Sequence, residues 1–79
     1  SERWDGEYQR RLFSIAAEKT RAAVDEATWQ AFWRTAGDGQ PARDVAEALQ
    51  MSVGAVYVAK SRVVARIKQH VAEIEGNEA

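Results

Sequence analysis

The stretch that most restricts the fold is residues 41–68, PARDVAEALQMSVGAVYVAKSRVVARIK. It reads as a short helix opened by Pro41, a tight turn at Gln50 and Met51, and a longer helix capped by Ser52. In the first helix Val45, Ala46 and Leu49 face inward. In the second, Val56, Ala59, Val63, Ile67, Val71 (or His70) and Ile74 recur at helical spacing, which makes one inward stripe. Helices joined this closely cross at a steep angle only where a small residue sits at the crossing, and Ala46 is placed for that. This is the sequence form of a helix-turn-helix, whose second helix lies in the DNA major groove.

The rest of the chain reads as two more helices and no strand. Ala, Glu, Arg and Lys dominate, Pro occurs once, and Gly falls at junctions. A first helix over residues 3–24 carries Trp4, Tyr8, Leu12, Ile15 and Ala16 as an apolar stripe, opposite a charged face. Asp25 is placed to cap a second helix over residues 25–36, lined by Trp29, Phe32, Trp33 and Ala36 and ended by the GDG at 37–39. With the third at 41–49 and the fourth at 53–75, stopping at Gly76, the expectation is all-α: one four-helix domain over residues 1–79, ending in the helix-turn-helix.

Charge separates the segments. Net charge is −1, yet residues 51–72 hold Lys60, Arg62, Arg66 and Lys68 and no acid. The plain reading is a solvated helix face. The functional one is an electrostatic footprint for nucleic acid. Helical geometry projects Tyr57, Val58, Ser61 and Arg62 away from the inward stripe. Arg62 can reach a guanine edge with two hydrogen bonds, Tyr57 and Ser61 can touch base edges or phosphate, and Val58 can meet a thymine methyl. Lys60, Arg66 and Lys68 suit phosphate positioning, and Ser52 opens a helix N-terminus that attracts phosphate. Gln50 stands where many proteins with this motif place Gly.

No Cys is present and the single His cannot assemble a zinc site, so no cofactor or metal is expected. No nucleophile, base and orienting group fall into a recognisable arrangement, so an enzyme is not expected. No apolar run approaches the ~20 residues that span a bilayer and no signal pattern opens the chain, so the expectation is a cytoplasmic protein without membrane contact. The first residue is Ser, which suits a piece of a longer protein.

The run MSVGAVYVAKSRVVARIK, with PARDVAEAL and TWQAFWRTA before it, resembles region 4 of a bacterial RNA polymerase sigma factor of the extracytoplasmic-function type. The resemblance covers most of the chain and is strongest over residues 28–68; the opening WDGEYQRRLF resembles one subset of these factors. It implies a helical domain whose last long helix reads the promoter −35 element and whose earlier helices grip the flap of the polymerase β subunit. Ser52-Val53-Gly54-Ala55-Val56 matches the common S-x-G-T-V pattern with Ala55 in place of Thr. Tyr57, Val58 and Ala59 stand where family members often carry Lys or Arg, Ser and Arg, which implies weaker electrostatic anchoring. Region 2, which melts DNA in this family, has no counterpart here, so a complete initiation factor is not expected.

The implied partners are promoter DNA, the polymerase core through its β flap, and in some systems an anti-sigma factor; the isolated domain is expected to be a monomer. Trp29, Phe32 and Trp33 read first as core, and second as part of a groove for the flap. Two other readings stay open: the DNA-binding domain of a dimeric response regulator, which shares the last two helices, and a helical protein-interaction module with an incidental basic strip.

Overall fold

Four α-helices follow one another: α1 (Glu2–Ala23), α2 (Glu26–Phe32), α3 (Ala42–Leu49) and α4 (Val53–Glu78). The computed structural model describes the backbone of residues 2–78 and the side chains of residues 6–76. The Trp4 position in the expected stripe lies outside those side chains. No strand occurs among the described residues, and α4 packs against each of the other three helices.

Capping chemistry sets the starts. Asp25 takes extended backbone angles and its Oδ1 accepts from the Thr28 amide at 2.8 Å, satisfying one of the orphan donors at the start of α2. The Thr28 hydroxyl, then its amide, hold the Asp25 carboxyl below its ordinary value, with a smaller pull from the Arg62 guanidinium. Pro41 occupies the cap of α3, and its carbonyl accepts from the amides of Asp44 and Val45.

The ends depart from expectation twice. α2 stops at Phe32 and widens into a π-helical turn over Trp33–Gly37, with the Asp38 amide donating to the Trp33 carbonyl at 2.9 Å. The Thr35 hydroxyl reaches back to the Ala31 carbonyl at 2.7 Å, so a side chain serves the backbone where the ladder changes step. The left-handed residue that turns the chain toward α3 is Gly39, at φ 72°, and not Gly37. At the other end Gly76 does not stop α4, which continues to Glu78. A helical Gly costs only about 1 kcal/mol, and no left-handed turn forms there.

Two groups of buried side chains hold the helices. The larger one joins α1, α2 and α4 through Ala16, Trp29, Phe32, Val63 and Ile67. The smaller joins α2, α3 and α4 through Ala31, Val45, Ala46, Val56 and Ala59, with Leu49 and Met51 packed against it. The α1 stripe is narrower than expected. Leu12, Ala16 and Thr20 are buried at four-residue spacing, whereas Ile15 is 41% exposed. Ile15 sits about 100° round the helix from the middle of that line, so α4 does not reach it. Buried Thr20 is satisfied because its hydroxyl donates to the Ala16 carbonyl at 2.8 Å.

Candidate nucleic-acid interface

The turn between α3 and α4 sets the direction of α4. Gln50 adopts φ 56° and ψ 46°, the left-handed conformation. Its amide donates to the Glu47 carbonyl at 3.3 Å while the Met51 amide donates to the Ala46 carbonyl at 2.8 Å. These crossed bonds close the end of α3, with Met51 folded onto the smaller core group. Ser52 then caps α4, its Oγ accepting from the Ala55 amide at 3.0 Å and its carbonyl from the Val56 amide at 3.1 Å. The Ser52 oxygen is in use as the cap that sequence reading expected, with the side chain still exposed.

Val56, Ala59, Val63 and Ile67 of α4 are buried, and the remaining side chains divide by angle. At 100° per residue, Val58, Ser61 and Ala65 stand opposite the core. Tyr57, Lys60 and Lys68 lie on one side of that ridge, Arg62 and Arg66 on the other. Tyr57 is 57% and Val58 51% exposed. Ser61, Arg62, Arg66 and Lys68 are exposed, and Lys60 is half-buried. Sequence reading thus named Tyr57, Val58, Ser61 and Arg62 as outward, and the exposed Ala65, Gln69 and Ala72 were not among its residues. None of the four cations is ion-paired with a carboxylate among the described residues. Arg62 and Arg66 share a shallow cleft with Asp25 and Thr28 at the start of α2.

The opposite flank of α4 opens on an apolar groove of about 620 Å³. Phe13 of α1, Phe32 and Trp33 of α2 and its π-turn, and Val64, Lys68 and Val71 of α4 line it. Of the aromatic trio weighed as a groove, Trp29 and Phe32 are buried at 7% and 6% exposure, so they are core, and Trp33 is 46% exposed. Phe32 still lines the groove, while Trp29 lies in a separate cleft with Arg21, Gln30 and Trp33. The Arg21 guanidinium covers Trp29 at 5.7 Å, and Trp33 stacks on it at 6.5 Å with the planes 10° apart. Trp33 also lies against Gly37: a Cβ there would come within 2.9 Å of the indole ring. Phe13 and Val64 escaped sequence reading as groove residues; their one signal was apolar character outside the inward stripes.

His70 sits at the core edge, with Nδ1 3.7 Å from the Glu73 carboxylate and Nε2 buried without a hydrogen-bond partner among the described residues. No group of His and acidic side chains that could hold a metal ion occurs among those residues. No helix among them is long and apolar enough to cross a membrane. No protein-family model matches the chain, and no curated protein or solved structure gives a significant match.

Proposed function

We propose that the chain is a DNA-reading module of the sigma region 4 kind: α3 and α4 act as a helix-turn-helix on a promoter −35 element, and the domain docks on the flap of RNA polymerase. The observation that carries this reading is the outward face of α4, where exposed Tyr57, Val58 and Ser61 stand between unpaired cations, behind a capped turn that fixes the helix. A basic face flanking a slim ridge has the shape and charge a major groove accepts. Ser52, Lys60, Arg66 and Lys68 serve the phosphates in this reading, and Arg62 a guanine edge.

The apolar groove supports the second contact. It offers the exposed indole of Trp33 and an apolar floor to an apolar helix tip, the form of recognition in which a helix seats its anchors in a groove. The same groove favours the rival reading, a protein-interaction module without DNA.

Amide NMR of the domain with a duplex carrying an AAC core decides between them. DNA reading gives shifts confined to residues 52–68 that vanish as salt rises. With at most about four phosphates neutralised, log affinity falls against log salt with a slope no steeper than about −3 to −4. Arg62→Ala lowers affinity by about 1–3 kcal/mol and relaxes preference at one base pair. Silence toward every duplex at low salt removes the DNA assignment and leaves the groove as the site of action.

A further inference from the structure

The exposed face of α4 is not uniformly basic. From Val53 to Ala59 it carries no charge, and the first cation is Lys60. Within that uncharged segment Val53, Tyr57 and Val58 are 41%, 57% and 51% exposed, the exposed large hydrophobic side chains of α4 among the described residues. Val58 lies on the ridge itself, and the cations stand to either side: Lys60 and Lys68 beside Tyr57, Arg62 and Arg66 over the start of α2. A branched apolar side chain at the crest of a groove-entering helix finds its bulkiest apolar partner among base edges in the C5-methyl of thymine, since the other major-groove groups are hydrogen-bond donors and acceptors or the smaller C5–H of cytosine.

We propose that Val58 is a specificity-determining residue that reads a thymine by apolar contact, with Tyr57 walling the contact from water, while Lys60, Arg66 and Lys68 anchor the phosphates without choosing the sequence. This rests on the DNA-reading assignment. Its distinctive consequence is that sequence preference and salt dependence are carried by different residues. Substitution at Val58 changes which duplex is preferred and leaves the salt slope alone; Lys68→Ala lowers the slope and leaves the preference alone.

The test begins with the full chain and a random-sequence duplex pool, from which the preferred duplex is recovered. Each thymine in that duplex is then replaced singly by deoxyuridine, which deletes the methyl and keeps every hydrogen-bonding group. The expected result is one position at which the replacement weakens binding by about fourfold, the worth of burying one methyl. In Val58→Ala, whose substituted side chain is exposed and outside the core, that same replacement has a much smaller effect. A preferred duplex that tolerates deoxyuridine at every position overturns the methyl contact and leaves the DNA reading standing. An equal deoxyuridine effect in wild type and Val58→Ala also overturns it, because another side chain then makes the contact. A pool that returns no preferred duplex removes the DNA reading and this inference together.

Discussion

The two core groups are built on opposite principles. The one joining α1, α2 and α4 relies on bulk: Trp29 and Phe32 meet with ring centroids 5.3 Å apart and fill the space over Val63 and Ile67. The one joining α2, α3 and α4 is Ala and Val alone among its buried members. Large aromatic rings contribute burial, and one of their neighbours, Trp33, spills onto the surface as a groove wall. Small side chains contribute closeness instead, letting α3 approach α4 near the turn and holding the first two turns of α4 at a defined angle. One group supplies stability, and the other supplies placement.

The largest expected effect breaks the first group. Phe32→Ala removes a buried ring and destabilises by about 3–5 kcal/mol, most of what a domain of this size has to spare, so urea melts show little or no folded baseline. Ala46→Leu strikes the second. Overpacking there costs about 1–3 kcal/mol, and heteronuclear NMR shows the shift changes concentrated in α3 and the start of α4, with α1 spared. Equal disturbance across both groups would erase the distinction between them.

Gln50→Gly sharpens the comparison by acting on the turn without touching either group. The left-handed backbone at Gln50 strains any residue with a Cβ, so glycine there raises stability by up to about 1 kcal/mol, read as a higher denaturation midpoint. Asp25→Asn has the smallest effect and shows only in its pH dependence. The folded carboxyl is held below its ordinary value of 3.8, so its contribution is full above that pH and is lost as the pH falls through the folded value. Asn keeps the cap without the charge, so the variant loses less stability than the parent as the pH falls below about 4.

Much of this architecture was legible because local chemistry and tertiary packing agree. Asp25 and Ser52 are caps by their side-chain oxygens, and the inward line Val56, Ala59, Val63, Ile67 follows from helical period alone. What escaped depends on facts that no local pattern holds. The π-turn needs a bond five residues long, from Asp38 to Trp33, and sequence spacing reads it as plain helix. Ile15 is as apolar as Leu12, and only the line of contact with α4 decides which of them is covered. Ala31 is wholly buried yet carries no bulk to announce it. The candidate face of α4 was legible by the same periodicity that gave its core side. The groove was legible only in Phe32 and Trp33, because its other walls come from α1 and α4.

Helix α4 belongs to both core groups, giving Val56 and Ala59 to one and Val63 and Ile67 to the other. Unravelling either group strips one side of a single continuous rod of 26 residues, about 39 Å long. Opening either group therefore strips a side from the same helix, and the amides along the middle of α4 are expected to be the slowest of the domain to exchange with solvent. A ligand at the start of that rod and one in the groove farther along it would draw on one shared helix.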